Sequence, residues 1–569
     1  MNKSKLLYFY SDENNLENQE NFDLETIDLC IIYSKDTIVN YSSVYNKIKS
    51  LNIDAIIIDK SSFVLDKEIF EFATYIRLMK NNIWDVPIYI YCNFGYKGII
   101  EFLKSDKTNI SKTNRFEIIN NSLFEKDALE IGKIKFFQNL EQKKQESLNW
   151  NDFIKTINVE KPETSNHTIS NEWAIYRWAH AIGANDSDIE KIENKVENNI
   201  YFKYLQAIYP IKEIQEIREE QLKVENLQDS KILYIDDEAD KGWNGVLWEL
   251  LKQSDVEDFE LLGDELKSLS QDEIINESKK KIEEQKSDIV ILDFRLHDSD
   301  FDCEIKEVTG YKLLQVIKKI NPGIQVIIFS ATNKVWNLQA LQEAGADGFI
   351  IKESPENSID PNFTKEVIIS FINELDKANK RRFLKEVFTS LEKISKNIKD
   401  TDCIEETKFD SFLKLIKRQT EVIKSSTKKI DLKDKSTLDI VYLNCFSFLE
   451  HFKNEYYLNY SQKEYRYSLG QLEDNLNRYS YNKHNFNIEL KNEFIRNGQS
   501  DSPSFFCTLT GIIVDYFELC DFEDNLIVKL AKITQKRNDF IHSQKEHFDQ
   551  NELNKIIEIM ENITKEMKE

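Results

Sequence analysis

Four short apolar runs, each closed by a residue with chemistry to offer, constrain this chain more than any other feature of its 569 residues. Lys231-Ile-Leu-Tyr-Ile ends in Asp236, Asp237 and Glu238. Asp288-Ile-Val-Ile-Leu ends in Asp293. Ile324-Gln-Val-Ile-Ile-Phe ends in Ser330, and Gly348-Phe-Ile-Ile ends in Lys352. Unbroken apolar runs of this length read as strands of a parallel sheet covered on both faces. Ligands of open α/β sheets bind at the carboxyl ends of the strands. The runs are therefore predicted to carry a cluster of acids, a hydroxyl and a lysine to one sheet edge.

Clustered carboxylates repel one another unless a cation neutralises them. Oxygen-only ligands suit Mg²⁺, which takes few protein carboxylates and keeps several waters. Beside such an ion Asp293 could attack a phosphoryl group and form an acyl phosphate. Ser330 and Lys352 would then hold phosphate oxygens by hydrogen bond and charge. The plainer alternative is a nucleotide-binding or inert α/β domain with acids at strand ends by chance.

The stretch from about 231 to 355 resembles the receiver domain of two-component response regulators. The resemblance implies a flavodoxin-like, doubly wound fold and a histidine kinase or phosphotransfer protein as partner. It makes Asp293 the phosphoacceptor, and Asp236, Asp237, Asp293 and the backbone carbonyl of Arg295 the Mg²⁺ ligands. Ser330-Ala331 matches the hydroxyl switch pair, Phe349 the aromatic switch position and Lys352 the phosphate-binding lysine. The Thr309-Gly310 step fits as well. Departures are a longer segment before Asp293, a long acidic loop from His297 to Val308, and no proline after the phosphoacceptor.

A length of 569 residues allows about three or four domains. Residues 1–130 are expected to form a degenerate receiver-like α/β domain. Its strands would be Leu6–Tyr10, followed by Asp12 and Glu13, Ile53–Ile58, ending in Asp59, and Val86–Tyr91. The third of these runs on to Tyr91-Cys92 with no Ser or Thr, and no Phe-x-x-Lys follows near Phe116–Ile119, so a phosphoryl group on Asp59 would lack its clamp. Residues 131–229 read as a helical connector. In it Trp173 and Tyr176 lie at i, i+3 and Ala174 and Trp178 at i, i+4, the spacing of a packed helix. Gly183 is expected to end that helix, and Ile211–Glu225 to form a connecting helix. A receiver domain at 230–358 would then lead to a helical output domain at 359–569. Helices there are expected near Thr364–Ile398, Phe409–Lys424, Ser436–Tyr457, Ile488–Arg496, Pro503–Leu519, Glu523–Ile541 and Asn551–Lys568, with no strands. The tyrosine-rich stretch from Tyr456 to Tyr481 reads as a long loop.

The net charge of −24 argues against bulk attraction to nucleic acid or anionic membrane. Seven cysteines without a Cys-x-x-Cys argue against a zinc site or a disulfide framework. No run approaches the ~20 apolar residues of a spanning helix, and the apolar run near the start is too short for a signal peptide. A cytoplasmic location is expected.

One further motif carries chemistry: Lys532-Ile-Thr-Gln-Lys-Arg537-Asn538-Asp539-Phe540-Ile541-His542. It resembles the Arg-(four residues)-His motif of HEPN domains, small helical domains many of which are metal-independent ribonucleases. The resemblance implies an all-α HEPN-like fold, an RNA substrate and a homodimer. A histidine can take or give a proton near neutral pH, and an arginine can stabilise phosphate charge in the transition state. Lys529, Lys532, Lys536, Arg537 and Lys545 face only Asp539 in this stretch, a local positive patch. At ~100° per residue Arg537 and His542 lie ~140° apart on one helix, so two chains facing each other would make a better site. The expected protein is a phosphorylation-controlled effector that cleaves RNA, in stress or anti-phage defence by analogy. The alternative is a non-catalytic adaptor whose helical output binds a protein or RNA partner. A transcription factor is disfavoured, because no helix-turn-helix pattern follows the receiver and the chain is acidic.

Overall fold

The computed structural model describes residues 4–10, 27–33, 41–60, 63, 65–80, 83–92, 94, 96–120, 148–160, 166–184, 196, 199–208, 217–301, 303–330, 335–353, 362–402, 410–461, 479–481, 488–490, 505–520, 524–543 and 546–567. The N-terminal sheet has strands β1 (Ser4–Tyr10), β2 (Ile27–Tyr33), β3 (Ala55–Asp59), β4 (Ile88–Cys92) and β5 (Phe116–Asn120). With it go helices α1 (Tyr41–Ile48), α2 (Asp66–Leu78) and α3 (Tyr96–Lys104). The sheet is parallel, in the order β2-β1-β3-β4-β5. The runs Ile27–Tyr33 and Phe116–Asn120, not among the expected strands, supply the two edges.

The connector holds α4 (Trp150–Thr156), α5 (Asn166–Ile182), α6 (Ile200–Ile208) and a single turn, α7 (Glu219–Leu222). Gly183, at φ +67°, ends α5 as expected. The connecting helix expected over Ile211–Glu225 is reduced to α7 among the described residues, and 211–216 lie outside them.

The second sheet has strands β6 (Ile232–Ile235), β7 (Phe259–Leu262), β8 (Ile289–Leu292), β9 (Gln325–Ser330) and β10 (Gly348–Ile351). Its helices are α8 (Trp243–Lys252), α9 (Gln271–Gln285), α10 (Thr309–Ile320), α11 (Val335–Glu343) and α12 (Phe363–Arg381). The order β10-β9-β8-β6-β7, all parallel, repeats that of the first sheet. Alternate residues supply two cores. Ile232, Tyr234, Ile289, Ile291, Ile327 and Phe329 bury one face against α8, α12 and α5. Leu233, Ile235, Val290, Leu292, Val326 and Ile328 bury the other against α9 and α10. Burial on both faces explains why the strands read as unbroken apolar runs. Each fully buried aliphatic side chain contributes roughly 1.5–3 kcal/mol.

The helical region follows as α13 (Phe383–Asp402), α14 (Asp410–Thr427), α15 (Lys435–Ser461), α16 (Phe505–Gly511), α17 (Asn525–Ser543) and α18 (Gln550–Glu566). The single helix expected over Thr364–Ile398 is two, α12 and α13, parted at Arg382. The break follows from docking. Asn379 donates to Glu225 O at 2.8 Å, Arg382 donates to Ser230 Oγ at 3.0 Å, and Gly323 lies so close that a Cβ there would strike the Leu384 backbone. α12 starts beyond residue 358, yet Ile368, Phe371, Ile372 and Leu375 pack into the second sheet's core. The expected helix over Ile488–Arg496 is corrected by a strand, β12 (Ile488–Leu490), which pairs antiparallel with β11 (Tyr479–Tyr481). Three-residue strands are too short to show a period in sequence. Most of the stretch expected as a loop, 462–478, lies outside the described residues.

Gly310, at the start of α10, is required by close approach. Its N–H donates to Phe294 O at 3.2 Å, and a Cβ would collide with the carbonyl oxygens of Phe294 and Asp293. Gly310→Ala is expected to destabilise this domain by about 1–3 kcal/mol through overpacking, read as a lower urea midpoint at constant m-value.

Candidate functional site

Strands β6 and β8 run side by side, Ile235 opposite Leu292, so the residues after them, Asp236 and Asp293, emerge together. Strand β10 lies beyond β9, and Lys352 N donates to Ser330 O at 2.8 Å. These registers deliver the predicted cluster. Among the described residues, Asp236, Asp237 and Asp293 offer carboxylate oxygens within 4.8 Å of one another. Lys352 Nζ lies 2.6 Å from Asp236 Oδ2 and 3.3 Å from Asp293 Oδ2. Asp236, Asp293 and Lys352 are all 0% exposed and Ser330 2%.

Burial would by itself lower the Lys352 ammonium, but Asp236 and then Asp293 outweigh it and raise it above its ordinary range. The ammonium also sits 5.1 Å from the Phe329 ring centre and 5.6 Å from that of Trp243. Asp236 is held by three donors. Lys352 and the Tyr234 hydroxyl, at 2.5 Å, reach Oδ2, and Glu238 N reaches Oδ1 at 2.8 Å. Burial, reinforced by Asp236, pushes the Tyr234 phenol well above its usual value, so it stays a donor. Asp293 Oδ1 accepts from Phe294 N at 2.6 Å.

Of the other sequence-predicted residues, Phe349 is half-buried on β10 against the α9–α10 core. Arg295 stacks its guanidinium 4.8 Å from the Phe301 ring centre. Ala331 lies outside the described residues. The long acidic loop after Asp293 is organised by Asp300, which the sequence reading passed over. Asp300 is 2% exposed. It accepts from Leu296 N and His297 N on one oxygen, and from Thr309 N, Thr309 Oγ1 and Gln271 Nε2 on the other. Tyr234 was also missed, because an aromatic inside an apolar run reads only as core.

The N-terminal sheet repeats the topology but not the chemistry. Its register places Phe9 opposite Ile58, so Asp59 corresponds to Asp293 and Tyr10 to Asp236. The acids Asp12 and Glu13 come two residues too late for the metal positions and lie outside the described residues. Cys92, opposite Asn120, takes the place of Ser330, and the next residue is Asn121 where the other sheet has Lys352. Burial and the neighbouring Asp59 push the Cys92 thiol up to about 12. The Tyr8 hydroxyl donates to Asp59 at 2.8 Å.

In the helical region, Arg537, Asn538 and His542 all lie on α17. Arg537 reaches across to α15. It donates to Glu450 on α15 at 3.0 Å and to Asn538 Oδ1 at 3.2 Å, and stacks on Phe446 at 4.9 Å. Asn538 and His542 are exposed. The expected positive patch is largely paired. Lys529 meets Glu558 at 2.6 Å, and Lys536 meets Glu546 at 2.6 Å and Glu552 at 3.6 Å. Those acids lie mostly on α18, which packs along α17, so the one-dimensional charge count missed them. Among the described residues a carboxylate orients His547, 2.6 Å from Asp439 Oδ2, whose other oxygen accepts from Phe548 N.

Residues 272–361 match the family model of the response regulator receiver domain. With the acid cluster and lysine in place, this part of the chain is a receiver domain. No curated protein matches the chain's sequence. Similar solved structures include a LuxR-family two-component response regulator from an Aurantimonas species, 16% identical over 25% of this chain and 85% of that one, with a TM-score of 0.17. Another is a response regulator/GGDEF domain protein, 9% identical over 66% of this chain and 100% of that one, with a TM-score of 0.18. Among the described residues no helix is long and apolar enough to cross a membrane.

Asp293 and Asp59 make a built-in comparison. With Mg²⁺ and a small phosphodonor, mass spectrometry is expected to find phosphate on Asp293 and none on Asp59. Phosphate on Asp59 would show that the N-terminal sheet keeps a working clamp.

Proposed function

We propose that the chain is a phosphorylation-controlled effector in which a histidine kinase or phosphotransfer protein supplies the phosphoryl group to Asp293. The observation that carries this reading is the convergence of Asp236, Asp237 and Asp293 around the buried Lys352 ammonium. An Asp293 oxygen attacks phosphorus, the bond from phosphorus to the donor nitrogen breaks, and the donor keeps the electron pair. Lys352 and Ser330 bind the transferred oxygens. The oxygen-only donor set of Asp236, Asp237 and Asp293 fits Mg²⁺, with the Arg295 carbonyl as a fourth protein ligand. The ion would supply charge neutralisation as phosphoryl transfers.

The finer proposal is that the helical region is a HEPN-like output that cleaves RNA as a homodimer in the cytoplasm, in stress or anti-phage defence. The RNA 2′-hydroxyl attacks the adjacent phosphorus, its proton goes to a base, and the departing 5′-oxygen receives one. His542 serves in proton transfer, Arg537 stabilises phosphate charge and Asn538 contacts phosphate. The ion pairs that cover α17 do not forbid this. Glu546 is 77% and Glu558 47% exposed, and exposed pairs contribute only about 0–1 kcal/mol, so phosphates can replace them. A second reading, a non-catalytic adaptor, is favoured by the Arg537–Glu450 pair, which uses the arginine within the fold.

Purified protein decides between the two. His542→Ala and Arg537→Ala are each expected to lower RNA cleavage by roughly 10²–10⁴-fold while leaving the circular dichroism melt in place. Cleavage should survive EDTA, yield 2′,3′-cyclic phosphate ends and spare 2′-deoxy substrates. Full activity in the double variant would remove these residues from the chemistry, and absence of cleavage in the wild type would leave the adaptor. Asp293→Asn is expected to abolish phosphoryl labelling and any response of the output to beryllofluoride.

A further inference from the structure

Helix α5 belongs to the connector, yet it grips both halves of the phosphoryl pocket. Asn171 donates from Nδ2 to Glu238 Oε2 at 2.5 Å, and its Oδ1 accepts from Trp243 Nε1 at 3.0 Å. Glu238 directly follows the Asp236-Asp237 pair, and its N–H is one of the three donors holding Asp236. Less than two turns along α5, Arg177 Nε lies 2.5 Å from Glu353 Oε1 and 2.8 Å from Thr364 Oγ1. Glu353 directly follows Lys352. Asn171, Arg177, Glu238 and Glu353 are all buried. Trp178, the residue after Arg177, packs at 5.3 Å on Trp243 and 5.7 Å on Phe329, the two rings that seat the Lys352 ammonium.

In this arrangement Lys352 leans toward Asp236, at 2.6 Å, rather than Asp293, at 3.3 Å. A phosphoryl group on Asp293 needs that ammonium on its own oxygens, and a cation on Asp236 repels it. Lys352 must then shift, while Glu353, one residue on, is fixed by Arg177. The hold is imperfectly compensated. Arg177 Nη1 and Nη2 are buried with no hydrogen-bond partner among the described residues, and a buried charge short of partners is costly to keep.

We propose that α5 is a positioning element of the phosphoryl site: docked, it holds Lys352 on Asp236 and opposes occupation, and occupation of the site loosens it. The proposal rests on the phosphoacceptor reading of Asp293. It also gives the signal a path to the N-terminal domain. Trp173 of α5 stacks on Phe202 of α6 at 6.1 Å, and Tyr204 and Ala207 of α6 pack on the core of the N-terminal sheet. If site occupation weakens docking, weakened docking must tighten occupation by the same factor.

The test uses the full chain with Mg²⁺ and beryllofluoride as the probe, binding being followed by tryptophan emission. Hydrogen exchange of residues 166–182 is measured in parallel. Beryllofluoride is expected to speed exchange in 166–182 of the wild type and not of Asp293→Asn. Asn171→Ala is expected to tighten beryllofluoride binding about fivefold or more. So is the double variant Arg177→Ala/Glu353→Ala, which removes both charges together, leaves none unpaired and puts no apolar contact in their place. Unchanged or weaker binding in both variants overturns the proposal, as does unaltered exchange in the saturated wild type. A wild type that binds no beryllofluoride overturns the phosphoacceptor reading itself, and the proposal with it.

Discussion

The structure around the second sheet depends on one buried cation. Lys352 places a full positive charge where no water reaches it, and such a charge persists only with close counter-charges and hydrogen bonds. Asp236 and Asp293 supply the charges, and Tyr234 and the backbone of Glu238 and Phe294 add hydrogen bonds to the carboxylates. Much of the local architecture follows. Strands β6 and β8 must be neighbours in fixed register to bring the acids within reach. Strand β10 must lie beside β9 to bring the lysine back over them. Gly310 must lack a side chain so that α10 can close against the Asp293 and Phe294 carbonyls.

The two parallel sheets show how far a fold and its chemistry can separate. Both have the same strand order, and both bring an aspartate to the same position, Asp59 in one and Asp293 in the other. Around Asp293 lie acids and an ammonium. Beside Asp59 are Tyr8 and a cysteine in the hydroxyl's place, with an asparagine in the sequence where the lysine would stand. The first sheet is linked to the second through α6 and α5.

The helical region joins the receiver at the pole opposite the acids. Asn321 and Gly323 precede β9 and Asp288 precedes β8, whereas Asp293 follows β8 and Ser330 ends β9. Lys385 of α13 pairs with Asp288 at 2.6 Å, and Asn321 donates to Lys385 O at 2.9 Å. Between Asp293 and α13 lie the sheet's length and α12, which packs on β9 and β10 and leads into α13. Rigid, close-packed elements of this kind transmit small shifts because their interiors do not compress.

The sequence alone determined four of the second sheet's five strands and the polar residues that close them; β7, Phe259–Leu262, was not among them. Runs such as Ile289–Leu292 have one stable use, as strands buried on both faces, and a polar residue closing such a run must emerge at the sheet edge. Asp236, Asp237, Asp293, Ser330 and Lys352 were legible for that reason, as was the end of α5 at Gly183. What was not legible lay in contacts between distant segments. The break at Arg382 follows from Glu225, Ser230 and Gly323, more than fifty residues away. The pairing of Lys529 and Lys536 by Glu558 and Glu552 depends on α18 lying along α17. The seating of Lys352 on rings packed by Trp178, and the hold of Asn171 and Arg177 on Glu238 and Glu353, join residues up to 176 positions apart. Periodicity reports which face of an element is buried, but not against what, and only tertiary structure decides which charges and rings meet there.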